Sequence, residues 1–384
     1  MYNIFMDWFT NSKQGEAKKL ISLLPGGTKH DQIMQELIHL GADAVSPLIE
    51  ALQTQDLNLV AIYQQILARI PAASPELIKA LRSAHPLIRG RVAEVFAISK
   101  DKNALSALVE ALHGEFFTVR SRAALALANI GDARVIPQLL PLLKDREDEV
   151  RISACNALEK FQDPSTFDEL ANIALDDLKI EVRQAAVKAL GSSRNPAAIP
   201  FLMEALRDSF WWFEREQVTR ELLATIENMG EPVVEPLIEA LGDREKTVRK
   251  FAITILGNLR DPRAIEEIGM ALYDLHHEVS RTAAEALAQF GAPAIDVLVE
   301  ALSHPESGVR ERAVFGLGKI QDERIAPYLI EMLHDPDPLI KRQAVLSISE
   351  LRDKRAIPAL QEVAASRVDR ELAALAKQVL ESFR

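Results

Sequence analysis

Few residues of this sequence have the types and spacing that catalysis needs. The single cysteine, Cys155, excludes an intrachain disulfide and a cysteine-based metal cluster. Its position among apolar residues favours a buried structural thiol over a nucleophile. The eight histidines are scattered, and no glycine-rich phosphate loop or nucleophile elbow occurs. The sequence therefore predicts a protein that is not an enzyme and that holds no metal and no cofactor.

The residues best suited to recognition form one aromatic run, Phe210, Trp211, Trp212 and Phe213. Aromatic residues are only 5% of the chain, which has three Trp. Because Trp often dominates binding energy at interfaces, one interpretation is an anchor for a partner protein. The other is that a helix begins near Phe210 and the rings fill a gap in the core. Four consecutive positions cover most of a helix circumference, so we expect at least one ring to be exposed.

A repeat with a period near 31 residues surrounds this run. An apolar anchor, usually followed by Arg, recurs at spacings of 28, 31, 31, 32, 36, 30, 31, 30, 31 and 32 residues. Ala stands four positions after most anchors and Leu or Ile eight positions after, which places all three on one helix face. We call this predicted helix the B helix, and number the repeats by their anchors. The anchors are Val60, Ile88, Val119, Val150, Val182, Val218, Val248, Val279, Val309, Ile340 and Leu372.

A second apolar pattern precedes the B helices, for example at residues 135–143 and 233–241, and predicts a shorter A helix. Pro137, Pro200 and Pro236 fall near the start of this helix, where a missing N–H costs little. Each pair can bury its apolar faces only against neighbouring pairs. The predicted fold class is therefore all-α, an α-solenoid superhelix of about eleven two-helix repeats.

The repeat pattern predicts one continuous solenoid domain, residues 29–384, preceded by an N-terminal capping segment, residues 1–28. The spacing before Val218 is 36 residues, against 28 to 32 elsewhere. This excess indicates an insertion near residues 209–213, which contains the aromatic run. Leu222 stands in the same repeat where other repeats have a small residue. A local break in a consistent pattern indicates function or compensating packing.

Charged residues recur at the turn between the A and B helices. An Asp precedes a basic residue by six positions in Asp145–Arg151, Asp177–Arg183, Asp243–Arg249 and Asp335–Lys341. This spacing predicts a ladder of side-chain bonds that ties adjacent turns together. The alternative is that both side chains are simply solvated.

A second charged pattern lies two positions after the anchors, where we expect B helices to face the concave side of the solenoid. From repeat six onward these residues are Arg220, Lys250, Arg281, Glu311 and Arg342. Such a basic stripe favours a groove for an acidic peptide or protein surface. Ordinary helix-surface charge is the alternative.

Composition limits the choice of partner and compartment. The net charge is −11, which disfavours nucleic acid because that binding depends on cationic contacts to phosphates. No apolar run is as long as a transmembrane helix, and the N-terminus does not have the pattern of a signal peptide. These features predict a cytoplasmic protein and disfavour a membrane partner.

Three segments carry a family resemblance: DREDEVRISACNALEKFQDP, DREKTVRKFAITILGNLRDPRAI and HPESGVRERAVFGLGKIQDERIAPYLIEML. They resemble the HEAT-repeat superfamily, in the short bacterial form of phycobilisome-lyase-like proteins. The resemblance covers nearly all residues from about residue 30 and implies HEAT-like repeats. It also implies an alternative function, a phycobilin lyase-like or chromophore-handling subunit, since related short-repeat proteins form parts of such lyases. A nucleic-acid-binding HEAT-like protein is a third class, which the charge disfavours.

Deoxyhypusine hydroxylase, a HEAT-like di-iron enzyme, has His-Glu pairs just after several anchors. The corresponding pairs here include Ser121–Arg122, Lys250–Phe251 and Glu311–Arg312, and none is His-Glu. His277–Glu278 is such a pair, but it precedes its anchor. The resemblance therefore does not extend to a di-iron site.

The sequence as a whole predicts a non-enzymatic scaffold or adaptor that binds a protein partner. The partner would contact the concave B-helix surface and the aromatic insertion of repeat six. The candidate partner-binding residues are Phe210, Trp211, Trp212, Phe213, Arg220, Lys250, Arg281 and Arg342.

Overall fold

The computed structural model describes residues 12–26, 29–211 and 216–383, apart from the side chain of Phe210. Within these residues the chain forms 24 α-helices and no β-strand. The helices alternate between short A helices and longer B helices, in the order that the repeat pattern predicts. The all-α solenoid fold class is therefore confirmed.

The chain divides into two compact units, Met1–Ser193 and Arg194–Arg384. The helices of the N-terminal unit are α1 Lys13–Leu23, α2 His30–Leu40, α3 Ala42–Ala51, α4 Leu57–Arg69, α5 Ser74–Ala80, α6 Pro86–Ser99, α7 Leu105–Ala111, α8 Phe117–Ile130, α9 Ile136–Leu139, α10 Asp148–Phe161, α11 Phe167–Asp176 and α12 Ile180–Ser192. The helices of the C-terminal unit are α13 Ile199–Arg207, α14 Glu216–Glu227, α15 Val234–Ala240, α16 Lys246–Leu259, α17 Ile265–Met270, α18 His277–Phe290, α19 Ile295–Ala301, α20 Ser307–Lys319, α21 Ala326–Glu331, α22 Pro338–Leu351, α23 Ile357–Ala365 and α24 Arg370–Ser382. A capping segment at residues 1–28 and one continuous domain at residues 29–384 stay predictions.

The B helices form because their apolar residues follow the helical period. In α10 the anchor Val150, the small residue Ala154 and the later Leu158 are all buried. The same three positions are buried in α16, α18, α20 and α22. Burial of one apolar stripe per helix supplies the main stabilisation of each repeat. The predicted register of these helices is confirmed.

A short capped turn introduces several of the A helices. The Asp261 side chain accepts a hydrogen bond from the backbone N–H of Arg263 at 3.0 Å, which starts a 3-10 turn before α17. Arg263 then donates back to both carboxylate oxygens of Asp261, at 2.9 and 2.8 Å. Asp132, Asp322 and Asp353 cap their turns in the same way. The B-to-A connection is thus specified locally by Asp, one residue, then Arg.

Small residues allow the B helices to approach closely. A Cβ atom on Gly257 would lie 2.8 Å from the Cβ of Ala286, so α16 and α18 touch at this point. A Cβ atom on Gly318 would overlap the side chain of Ser347, which brings α20 and α22 equally close. Glycine at these positions is therefore required by the contact and not by the backbone conformation.

The predicted ladder is present at four arginines that each join two repeats: Arg120, Arg151, Arg249 and Arg310. Arg310 donates from Nε and Nη2 to the two oxygens of Asp335, at 2.7 and 3.0 Å, one repeat further along the chain. Its Nη1 donates to the backbone oxygen of His304 in its own turn, at 2.9 Å. The same arrangement joins Arg249 to Asp274, Arg120 to Asp145 and Arg151 to Asp177. The six-residue spacing therefore corresponds to the hydrogen bond between each arginine and a backbone oxygen of its own turn. The carboxylate that the arginine binds comes from the next repeat.

The ladder is interrupted at repeat eight, whose anchor is Val279 and which lies in the C-terminal unit. Ser280 occupies the position of the arginine, and His304 occupies the position of its aspartate partner. The ring of His304 instead packs on Tyr273, with centroids 5.0 Å apart. Both members of the ion pair are therefore replaced together, and no unpaired ladder charge remains at this turn.

Candidate partner-binding site

Trp211 is a core residue. Its side chain is 1% exposed, and its backbone oxygen accepts a hydrogen bond from Thr219 Oγ1 at 3.0 Å. The indole Nε1 is buried and has no hydrogen-bond partner among the described residues. The prediction that Trp211 projects towards a partner is therefore wrong, because the ring fills a gap in the packing of repeat six.

The rest of the aromatic insertion is described only in part. Ser209–Trp211 forms a 3-10 turn, and the next described helix, α14, spans Glu216–Glu227. Residues 212–215 between them lie outside the described residues, so the interpretation in which this helix begins near Phe210 stays a prediction. Trp212 and Phe213, like the side chain of Phe210, lie outside the described residues, and their role as anchors stays a prediction.

The four basic candidates lie on four different B helices of the C-terminal unit. Arg220 on α14 and Arg342 on α22 are exposed, while Lys250 on α16 and Arg281 on α18 are partly buried. Arg220 forms an ion pair with Glu216 on its own helix, at 2.9 Å and with both side chains exposed. The charge of this pair is largely cancelled, and such surface pairs contribute little stability. Arg281 differs from the other three because it borders a surface cavity.

That cavity is a notch of about 330 Å³ formed by α18, α20 and α22. Gly318 and Ser347 both line it, and the absence of a side chain on Gly318 lets α20 and α22 approach closely there. Phe315 and Leu346 supply its apolar surface, and the Leu346 side chain is 39% exposed. We call it the Phe315 notch. Its lining residues are Arg281, Phe315, Gly318, Lys319, Gln343, Leu346, Ser347, Ser349 and Glu350.

Two cations lie beside the ring of Phe315. The guanidinium carbon of Arg281 is 3.4 Å from the ring centroid, and the ammonium of Lys319 is 5.7 Å from it. Both distances fall within the range of cation–π attraction. Lys319 also forms an ion pair with Glu350 at 2.9 Å, with both side chains nearly half exposed. The notch therefore offers an apolar wall with positive charge at its edge.

Arg281 is held more loosely than the arginines of the ladder. It donates to Glu285 at 3.3 Å and lies 3.8 Å from Glu311. Arg310, by contrast, forms a bidentate pair of hydrogen bonds with Asp335, and the shorter bond is 2.7 Å. Charge-assisted hydrogen bonds are strongest near 2.7–2.9 Å. Arg281 can therefore exchange its intramolecular partners for a carboxylate of another molecule at lower cost.

Phe315, Leu346 and Lys319 are not among the candidate residues predicted from the sequence. A signal was present, because Phe315 and Leu346 stand six positions after the anchors Val309 and Ile340. Positions two and six after an anchor share a helix face with period 3.6. Only the basic residues at position two were recognised as candidates. The apolar residues at position six complete the same surface.

The N-terminal unit has a more polar depression on its own B helices. Its volume is about 440 Å³, and Glu159 pairs across it with Lys188 at 3.1 Å. No aromatic residue contributes to the lining, which consists of Leu125, Asn156, Glu159, Lys160, Gln162 and Lys188. This surface lacks the apolar wall that makes the Phe315 notch suitable for inserting a side chain.

The described residues offer little for catalysis. They contain no group of three or more His, Cys, Asp or Glu that could hold a metal ion. Burial raises the pKa of the Cys155 thiol to about 12, so the thiolate is scarce at neutral pH. In the same parts of the chain, no helix is long and apolar enough to cross a bilayer.

The family profile of HEAT repeats matches residues 74–151, 136–223, 234–312 and 295–381, which is well over half of the chain. The chain belongs to the HEAT-repeat family. These matches include the B helices that form the Phe315 notch and the ladder, so both features are built on the repeat itself.

Three sequence relatives link the chain to its HEAT-repeat neighbours. Phycocyanin operon protein Y of Pseudanabaena tenuis is 38% identical over 96 residues, 24% of this chain and 22% of that protein. Phycocyanobilin lyase subunit beta of Nostoc sp. is 28% identical over 173 residues, 41% of this chain and 86% of that protein. Deoxyhypusine hydroxylase-B of Oryza sativa subsp. japonica is 26% identical over 247 residues, 57% of this chain and 82% of that protein. These partial matches show a similarity to phycobilisome-lyase-like HEAT proteins.

Among solved structures, Kap121p bound to Nup53p has the same architecture. The TM-score is 0.60 at 15% identity, and the match covers 99% of this chain and 51% of Kap121p. The chain thus spans about half the length of this structural relative. At this identity the likeness supports the α-solenoid fold and nothing more specific.

Proposed function

We propose that this protein is a non-enzymatic adaptor that binds a segment of a partner protein on the B helices of its C-terminal unit. The observation that carries the proposal is the Phe315 notch, an apolar recess with cations at its edge. Binding hot spots are enriched in aromatic residues and Arg and lie in pockets that exclude water. Phe315 and Arg281 have this composition and are already in contact.

The chemistry of the notch suggests the chemistry of the partner segment. An apolar side chain would insert between Phe315 and Leu346 and displace water from both. A carboxylate next to it would bind Arg281, whose present contacts with Glu285 and Glu311 are long. Burial of about 100 Å² of apolar surface would contribute about 2–3 kcal/mol. The expected ligand is therefore an apolar residue beside an acidic one.

The remaining candidate residues would enlarge the binding surface around the Phe315 notch. Lys250 and Arg342 stand at the same position of their repeats as Arg281, and they would add weaker electrostatic steering. Trp212 and Phe213 are kept as additional anchors, to be tested by a Trp212→Ala/Phe213→Ala variant. The proposal also keeps the predicted cytoplasmic location, which cell fractionation tests.

The test is proximity crosslinking in the native cell, followed by titration of the recovered partner with purified variants. The test variant is Phe315→Ala/Leu346→Ser. The control is Leu275→Ser/Val368→Ser, which removes two apolar residues that are each 98% exposed and do not line the notch. We expect at least a tenfold loss of affinity for the test variant and less than a twofold change for the control. If both variants are folded and keep the partner equally, the notch is not the binding site.

A chromophore-handling role is the second candidate, and the lyase subunit of Nostoc sp. is the observation that favours it. This role predicts that phycocyanobilin added to the purified protein acquires a shifted absorption band. A spectrum identical to that of the free pigment, at any ratio of protein to pigment, would eliminate this candidate.

A further inference from the structure

Charge is divided unevenly between the two sets of helices in repeats seven to ten. The A segments, residues 231–240, 262–273, 292–301 and 323–334, carry nine carboxylates and two arginines. The B helices of the same repeats, α16, α18, α20 and α22, carry nine Lys or Arg and four Glu. The A segments therefore carry a clear excess of negative charge, while the B helices carry a clear excess of positive charge.

The carboxylates of the two surfaces also differ in their partners. All four glutamates of these B helices lie within ion-pair distance of a Lys or Arg: Glu278, Glu285, Glu311 and Glu350. On the A segments, the side chains of five glutamates make no hydrogen bond or ion pair with any described residue: Glu239, Glu266, Glu267, Glu300 and Glu331. Uncompensated like charge on one face opposes the compact state. A cationic ligand would relieve it.

An apolar patch lies among these carboxylates. Met270 at the end of α17 is 66% exposed, and Tyr273 in the next turn is 37% exposed. Glu266 and Glu267 precede Met270 by four and three positions, so they share its helix face. Contiguous exposed apolar patches with a polar rim mark interaction sites, and Met270 with Tyr273 would form the apolar part of such a patch.

The neighbouring A helix continues this surface. A Cβ atom on Gly269 would overlap the side chain of Val297, so α17 and α19 are in direct contact. Glu300 lies three positions after Val297 on α19 and is exposed. We call the surface formed by Met270, Tyr273, Glu266, Glu267 and Glu300 the Met270 platform.

We propose that the Met270 platform binds a basic segment of a second protein, with an apolar side chain on Met270 and flanking Lys or Arg on the carboxylates. The carboxylates are spread along two helices and form no metal-binding group in the described residues. They therefore suit charges spaced along a peptide better than a single metal ion. The platform is on A helices and the Phe315 notch on B helices, so this inference goes beyond the proposed function.

The probe is a fluorescein-labelled peptide of alternating lysine and leucine, titrated with the full chain and followed by fluorescence anisotropy. A lysine and serine peptide of equal charge measures attraction without apolar contact. We expect the lysine and leucine peptide to bind more tightly than the lysine and serine peptide. We expect its affinity to fall when the salt concentration is raised from about 0.05 to 0.2 M. We expect Glu266→Gln/Glu267→Gln/Glu300→Gln to weaken binding about tenfold and Met270→Ser about threefold.

The matched control is Glu362→Gln/Glu371→Gln/Glu381→Gln, which removes three exposed carboxylates from repeat eleven. It should change the affinity less than twofold. If the control weakens binding as much as the platform variant, or if both peptides bind equally, the attraction is non-specific and the proposal fails. If Phe315→Ala weakens peptide binding more than Met270→Ser does, the peptide occupies the notch. That outcome overturns the platform and leaves the adaptor proposal standing.

Discussion

Arg281 and Phe315 are in contact across two successive repeats, with the guanidinium 3.4 Å from the ring centroid. The arginine is two positions after the anchor of repeat eight, and the phenylalanine is six positions after the anchor of repeat nine. Cation–π contacts at partly exposed sites contribute about 0.5–1 kcal/mol. This pair therefore fixes the shape of the notch more than it stabilises the fold.

The contact predicts a measurable coupling between the two side chains. In a double-mutant cycle of Arg281→Gln and Phe315→Leu, we expect a coupling free energy of about 0.5–1 kcal/mol in urea unfolding. The cycle Arg220→Gln with Phe315→Leu is the control, because Arg220 lies on α14 and pairs there with Glu216. Strictly additive effects in the first cycle would show that the ring and the guanidinium do not interact in solution.

Gly318 should not tolerate a side chain. Although Ala favours helices over Gly by about 1 kcal/mol, a Cβ at this position would overlap Ser347. We expect Gly318→Ala to lower the free energy of unfolding by about 1–3 kcal/mol. Ser347→Gly in the same chain should recover part of the loss.

Gly308 provides the comparison for that substitution. A Cβ there would meet only the ends of two long side chains, Nη1 of Arg312 at 3.2 Å and Oε1 of Glu306 at 3.5 Å. Gly308→Ala is therefore expected to be neutral or stabilising. Similar losses at both glycines would mean that close helix contact does not explain the requirement at Gly318.

Removal of a ladder arginine should be costly. The Asp335 side chain is 4% exposed, so Arg310→Met would leave a nearly buried carboxylate without its cation. We expect a loss of about 2–4 kcal/mol in the free energy of unfolding. Arg324→Met is the matched control, because Arg324 is 66% exposed where it pairs with Asp322. If the two substitutions cost the same, the ladder has no special role in stability.

The ladder also predicts a dependence on acid. Burial acts to raise the pKa of Asp335, but the hydrogen bonds from Arg310 and from the Asp337 backbone N–H outweigh it and hold this pKa below its usual range. The folded state therefore favours the carboxylate over the unfolded chain, in which an aspartate titrates near pH 3.9. The stabilisation is fully present above about pH 5 and is lost as the pH falls through the folded pKa.

The measurement is the stability of wild type and Asp335→Asn as a function of pH. We expect the gap between them to be largest near pH 7 and to shrink below about pH 4. A gap that stays constant from neutral to acid pH would mean that the charge of Asp335 does not provide the stabilisation.

Trp211 should behave as a core residue and not as a surface anchor. Trp211→Ala is expected to cost about 3–5 kcal/mol, the usual range for a buried aromatic. Trp211→Phe should cost much less, because it also removes the indole N–H, which has no partner among the described residues. Intrinsic fluorescence during unfolding reports on both substitutions. A fully stable Trp211→Ala variant would return the residue to the candidate binding surface.

The repeat could be predicted from the sequence because the residues that define it lie close together along the chain. The anchor Val150, with Ala154 and Leu158, lies within about two turns of one helix, so the helical period alone predicts that all three are buried. The turn residues Asp261 and Arg263 likewise act over two positions. For the ladder, the six-residue spacing predicted only the contact of Arg310 within its own turn, where it binds a backbone carbonyl. The carboxylate partner of Arg310 lies in the following repeat, so the local spacing did not predict it.

The sequence by itself determined the all-α class and the helix register of the repeats. Only the tertiary structure decided that Trp211 is buried, that Arg281 lies on Phe315, and that Gly318 and Leu346 line one notch. These last relationships join residues on different helices, about one repeat or more apart. Their geometry depends on how closely the helices pack, which small residues such as Gly318 and Ser347 determine through side-chain volume rather than through any pattern along the chain.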